Sequence, residues 1–119
     1  MGLYATVAAA VNCPQCGSVV DAGWQFHFGD VSQLPTYKVG DPIQWGGSDR
    51  GDPSMTEVVA IGYFDGARHF CSACSIEHAL VEIQIVDHVI RGVAYRSSEP
   101  WIAPTLLVGP DRVPYAAGG

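Results

Sequence analysis

Apolar and polar residues alternate along much of this chain with a period of two. In residues 3–12, Leu3, Ala5, Val7, Ala9 and Val11 fall on one face, and Tyr4, Thr6, Ala8 and Ala10 on the other. Successive side chains of a strand point to opposite faces, so this pattern predicts a strand. Residues 19–28 repeat it, with Trp24, Phe26 and Phe28 on one side and Gln25 and His27 on the other. The two strands flank a short Cys-containing segment as the arms of a hairpin. A loop follows over 29–35. "YKVGDPIQW" then predicts two short strands bent at Gly40-Asp41-Pro42, because proline cannot donate to a ladder. "GGSDRGDPS", residues 46–54, predicts a flexible polar loop.

Residues 57–64 form the next expected strand. Asp65-Gly66 is a hairpin-turn pair, and 67–70 the return strand. A helical turn is expected over 75–79. In "LVEIQIVDHVIRGVAY", Val81, Ile83 and Ile85 alternate with Glu82 and Gln84. β-Branched residues at period two favour strand over helix here. Asp87-His88 then makes the turn and 89–95 returns. The tail changes character: Pro100, Pro104, Pro110 and Pro114 are interleaved with Trp101, Ile102, Leu106, Leu107 and Tyr115. Proline excludes a helix and the apolar residues exclude a solvated linker. The expected architecture is all-β: one small domain of antiparallel hairpins, residues 1–96, with an extended Pro-rich arm over 97–119. The arm packs either on its own domain or on a second subunit.

Composition agrees. The chain has 119 residues, 14 Gly and 8 Pro, which suits many turns. Hydrophobic residues are 48% and charged residues 15%, which excludes a disordered, highly charged chain. Six Lys+Arg stand against twelve Asp+Glu, a net charge of -6. The six cations, Lys38, Arg50, Arg68, Arg91, Arg96 and Arg112, are scattered. A phosphate-tracking surface needs clustered cations, so nucleic-acid binding is disfavoured and a basic protein partner fits better. No apolar run reaches the length of a membrane span. "MGLYAT" matches a myristoylation pattern through Gly2 and Thr6, without the polybasic second signal that anchoring needs. The expected location is the cytoplasm, where thiolates or metal sites are commoner than disulfides.

The chemistry lies in the cysteines. "CPQCG" supplies Cys13 and Cys16, "CSACS" supplies Cys71 and Cys74, and the chain has no other cysteine. Two Cys-x-x-Cys turns can present four thiolates to one tetrahedral ion. Pro14 stiffens the first turn and Gly17 permits left-handed geometry behind it. Ser75 stands where glycine would be favoured in the second. Two separate redox pairs, or a thiolate-bound iron in place of zinc, are the rival readings.

These knuckles resemble the zinc ribbon, or rubredoxin-like knuckle, group. The resemblance implies a β-ribbon around one structural Zn2+ held by Cys13, Cys16, Cys71 and Cys74. The layout is also similar to small bacterial double-CxxC proteins in which an aromatic strand and a "Y-x-VGDxI-x-W" segment lie between the knuckles. Here those are "WQFHFG" and "YKVGDPIQWG". Some members of that group sit beside toxins as immunity factors, which implies an inhibitor's role.

Catalysis finds less support. Four cysteines close a zinc shell, whereas a catalytic zinc keeps a position open. The H-x-E motif of zinc deaminases is absent, since His27 and His69 are followed by Phe28-Gly29 and Phe70-Cys71. "GGSDRGD" lacks the lysine of a P-loop. The expected function is a structural-zinc protein-binding module, an adaptor or an immunity-type inhibitor of a basic partner. Its expected surface is Trp24, His27, Asp30, Trp45, Asp49 and Asp52, with Trp101 on the arm. One alternative is a subunit of a larger assembly, or a homo-oligomer, anchored by the arm. The other is a small-ligand binder or enzyme with a cleft near His27, His69 or His78.

Overall fold

The computed structural model describes residues 4–47, 49–64, 71, 80–97 and 106–114. The Asp65-Gly66 turn, the return strand at 67–70 and the helical turn at 75–79 lie outside them. The protein is all-β. Its strands are β1 (Ala5–Asn12), β2 (Val19–Phe26), β3 (Gly29–Asp30), β4 (Thr36–Lys38), β5 (Asp49–Arg50), β6 (Glu57–Phe64), β7 (Leu80–Val86), β8 (Val89–Ser97), β9 (Leu106–Val108) and β10 (Val113–Pro114).

The strands with the clearest alternation build the frame. β1 and β2 form the expected hairpin, in register from Ala5↔Phe26 to Asn12↔Val19. β2 passes to β6 through Trp24↔Phe64 and Gln25↔Tyr63. β6, β7 and β8 follow as antiparallel neighbours. Asp87 and His88 join β7 to β8 with φ of 51° and 63°, the two positive values a type I′ turn requires.

The two ends of this sheet meet. β4 lies parallel to β1, from Thr6↔Thr36 to Ala8↔Lys38. The chain then turns onto the start of β8. Gly40 N donates to Ile90 O at 2.7 Å, Ile90 N to Asp41 O at 3.0 Å, and Ile43 N to His88 O at 2.7 Å. The pairings therefore run β1, β2, β6, β7, β8, the segment 40–43 with β4, and back to β1. Such closure removes free sheet edges. Two register shifts, where Arg91 and Arg96 are extra residues on β8, add the local bend that curling a sheet needs.

One continuous core fills the ring. Ala5, Val7 and Val11 of β1, Trp24 and Phe26 of β2, Val58 and Ala60 of β6, and Val81, Ile83 and Ile85 of β7 are buried in it. In β1, β2 and β7 these are the faces that the alternation predicts. Tyr37, Phe28, Val31, Ile43 and Ile90 complete it. Burial of an aromatic or branched side chain contributes about 1.5–3 kcal/mol, so this cluster is the main stabilising term. Trp24 belongs to it at 0% exposure, and its indole N–H donates to Ala9 O at 3.2 Å. It is thus a core residue, which corrects its expected place on a partner surface.

Two more expectations change. Residues 46–54 are not a free loop: β5 pairs with β3 through Gly29↔Arg50 and Asp30↔Asp49. Gly51 lies so close to Phe28 that a Cβ there would sit 2.7 Å from the ring. The same pairing gives structure to the loop expected at 29–35. In the tail, β9 lines up on β6 through Val58↔Val108, Val59↔Leu107 and Ala60↔Leu106, and β10 folds back on β9. Leu106 is buried in the core. The described part of the arm thus packs in cis, while Trp101 lies outside the described residues. Glu82 on β7 pairs with both Arg96 of β8 and Arg112 of the β9–β10 turn, fastening the tail to the sheet.

Gly29 has φ +79°, and a Cβ there would strike Ile43 Cγ2 and approach Gln44 O at 2.7 Å. Gly29→Ala is expected to destabilise the protein by about 1–3 kcal/mol through backbone strain and this clash. Urea unfolding of the two proteins checks it, and an unchanged midpoint would contradict the geometry.

Candidate metal centre

The β1–β2 hairpin carries the first cysteine pair at its tip. Cys13 follows the last residue of β1. Its N–H donates to Ser18 O at 2.7 Å, and Gly17 N donates to Cys13 O at 2.8 Å. These bonds wind residues 13–18 into a tight turn, with Gly17 at φ +77°. A side chain would fit there, since nothing lies within 4 Å of the missing Cβ. The residue is needed for its backbone angle alone.

Cys71, which lies beyond the end of β6 in the chain, comes to the same turn. The sulfurs of Cys13, Cys16 and Cys71 all lie within 4.8 Å of one another. Cys16 Sγ and Cys71 Sγ are 3.6 Å apart. Four thiolates about 2.3 Å from a tetrahedral zinc would be separated by roughly 3.8 Å, so the described sulfurs fit such an ion. Cys74, the expected fourth ligand, lies outside the described residues. Cys13 and Cys71 are buried at 1% exposure, and Cys16 is exposed. The cluster thus closes one end of the core and opens to solvent at a single sulfur among the described residues.

The surroundings of Cys16 favour its anion. Its thiol donates to Ser18 Oγ at 3.3 Å. Once the proton is lost, the sulfur becomes the acceptor. Hydrogen bonds from the Ser18 hydroxyl, then the Ser18 backbone N–H, then Cys71, lower the thiol from 9.0 to about 6. A thiolate is the metal-binding form, so the turn prepares a ligand before any ion arrives. Sequence reasoning overlooked Ser18. The available signal was a hydroxyl two residues after the second cysteine of the knuckle.

The remaining site residues divide. Asp30, Trp45, Asp49 and Asp52 come together on the β3–β5 flap. Asp30 and Asp49 are cross-strand partners. Asp30 Oδ1 accepts from Ser32 N at 2.9 Å and Ser32 Oγ at 2.7 Å. Asp49 Oδ1 accepts from Gly46 N at 2.9 Å. Asp52 is exposed, and the Ser54 backbone N–H, then its hydroxyl, hold its carboxyl below the usual range. Trp45 is half-buried, edge-on to Phe28 at 5.1 Å and to His88 at 5.4 Å between ring centres. His27 is half-buried with Nδ1 enclosed. His88, read as a turn residue, is one, and its Nε2 donates to Pro53 O at 2.6 Å. That bond ties the β7–β8 turn to the flap, a link with no sequence signature. His69 and His78 lie outside the described residues, so the expected cleft is represented only by His27.

No helix among the described residues is long and apolar enough to cross a membrane. Comparison with protein families, curated proteins and solved structures finds no match to this chain.

The lowered Cys16 thiol sets a pH dependence. A depressed value means that thiolate prevails above it and thiol below. In reduced, metal-stripped protein, alkylation of Cys16 by iodoacetamide is expected to rise with pH, half-maximal near about 6. Ser18→Ala removes the largest contribution and moves the half-point upward. Peptide-resolved mass spectrometry reads both, and a wild-type half-point left near 9.0 would rule out this role for Ser18.

Proposed function

We propose that the chain is a structural-zinc module that binds another protein, the zinc being held by Cys13, Cys16, Cys71 and Cys74. The observation that carries the reading is the convergence of three sulfurs from distant parts of the chain within 4.8 Å. Two of them are buried, where a bound cation would offset the charge of the ligand thiolates. A shell closed by four cysteines leaves no position for substrate, so the ion's part is to clamp the hairpin tip to the segment after β6. The chemistry of the donors also accepts iron, which metal analysis separates from zinc.

The partner-binding half rests on the flap. It places the exposed carboxylates of Asp49 and Asp52 beside Asp30 and the half-buried Trp45, on a protein of net charge -6. Aromatic anchors ringed by charge are common in protein interfaces, and acidic groups select a basic partner. An adaptor or an immunity-type inhibitor acting in the cytoplasm is the role this supports.

Two experiments test the halves separately. Protein purified without chelator should carry one zinc ion per chain. Cys13→Ser should lose most of it and melt at a lower temperature, because structural zinc contributes directly to folding. Full occupancy in Cys13→Ser would remove that residue from the ligand set. For the partner, affinity capture from the native host should return one dominant basic protein with the wild type. The double variant Asp49→Lys, Asp52→Lys should lose it while keeping its metal. Capture unaffected by charge reversal would move the binding surface elsewhere.

A further inference from the structure

Burial divides the three clustered sulfurs unequally, and that inequality assigns them different chemistry. Cys13 and Cys71 are 1% exposed, while Cys16 is open to solvent. A small oxidant in solution meets Cys16 first. Cys71 Sγ is already in contact with it, at 3.6 Å, and Cys13 Sγ lies within 4.8 Å. A disulfide needs about 2.05 Å between sulfurs, so the gap closes by a movement of roughly 1.5 Å. Rotation of an exposed side chain can supply much of this.

We infer that Cys16 is a peroxide-oxidation site and Cys71 its resolving partner, so that oxidation exchanges the metal clamp for a Cys16–Cys71 disulfide. The inference rests on the reading of these thiols as metal ligands. In the first step the Cys16 sulfur attacks hydrogen peroxide. An S–O bond forms, the O–O bond breaks, and water leaves, giving a sulfenic acid. In the second, Cys71 attacks that sulfur. The S–S bond forms, the S–O bond breaks, and a second water leaves. Starting from two thiolates, the sum takes up two protons. The two sulfurs together give two electrons to the peroxide, and zinc changes no oxidation state. Two of its ligands are gone, so it is released.

The geometry gives this exchange a distinctive outcome. A link between Cys13 and Cys16 would lie within a single turn and hold nothing else together. Cys16 and Cys71 are 55 positions apart, and their disulfide ties the hairpin tip to the segment after β6. That is the same pair of segments the metal joins. Oxidised protein therefore releases zinc without losing the crosslink that organises this end of the core. The change reverses when a dithiol reductant attacks the bond, as the reducing cytosol allows.

The test treats zinc-loaded full-length protein with stoichiometric hydrogen peroxide. A chromogenic chelator follows zinc, and non-reducing peptide mapping after alkylation of free thiols follows the disulfide. Zinc release should track the Cys16–Cys71 linked peptide in proportion, with far-ultraviolet circular dichroism unchanged. Cys16→Ser should slow release by about tenfold or more and abolish the linked peptide. Should that variant fail to hold zinc, mapping of metal-free, reduced wild-type protein under the same peroxide decides, and Cys16–Cys71 should again dominate. A dominant Cys13–Cys16 or Cys71–Cys74 bond, or release without any disulfide, overturns the inference. Protein that purifies without metal defeats the proposed metal function instead, while the mapped linkage still judges the oxidation chemistry by itself.

Discussion

Closure of the sheet around its core depends on three backbone hydrogen bonds that join residues 40–43 to the start of β8. Without them the structure is a curled antiparallel sheet with open edges at β4 and β8. With them it is a ring around one core. The closing segment is short, contains Pro42, and pairs with a strand far along the sequence. It succeeds because the β7–β8 turn presents His88 and Ile90 in the right register. That turn is held from outside by Asp87 N donating to Thr56 O and by His88 donating to Pro53 O. Closure and flap are thus mechanically connected through one histidine, and Trp45 packs edge-on against the same ring.

The cysteine cluster follows from the ring order. β2 lies between β1 and β6, so the β1–β2 tip and Cys71, which follows β6, come to the same end of the core. Cys13 and Cys71 are counted among the buried residues there, so the ion would terminate a hydrophobic cluster rather than sit in an appended loop. Burial sets both the stability and the reactivity of such a site. It shields two sulfurs and leaves Cys16 as the described point of access.

How much of this was legible in the sequence depends on the length of the signal. β1, β2, β6, β7 and β8 have seven to nine residues each, enough to declare a strand, and in β1, β2 and β7 the alternation also declares the buried face. The Asp87-His88 turn was legible because it interrupts that alternation. β3 and β5 have two residues each and carry no period, so their pairing was invisible and the flap read as a loop. The closure is a long-range contact that no local pattern encodes. That Cys13 and Cys16 could meet Cys71 was legible from spacing, but the exposure of Cys16 against the burial of Cys13 and Cys71 was not, because spacing alone does not place a sulfur inside or outside the core. Trp24 and Trp45 illustrate the same limit. Each follows or precedes polar residues, and only the packing separates a fully enclosed indole from a half-open one.

Asp30 and Asp49 face each other across β3 and β5, an arrangement that repulsion between like charges disfavours. Each carboxylate is partly compensated by local donors, Ser32 for Asp30 and Gly46 N for Asp49. Those bonds fix the turns but add no positive charge. Arg50 is the neighbouring cation, and it is exposed on β5. The flap is nevertheless held in place by Gly51 against Phe28 and by Trp45 between Phe28 and His88. Packing that already orders this element lowers the freedom it would lose if, as proposed, a cationic surface binds there. Under the proposed function, these acidic groups would favour a basic partner over an acidic one.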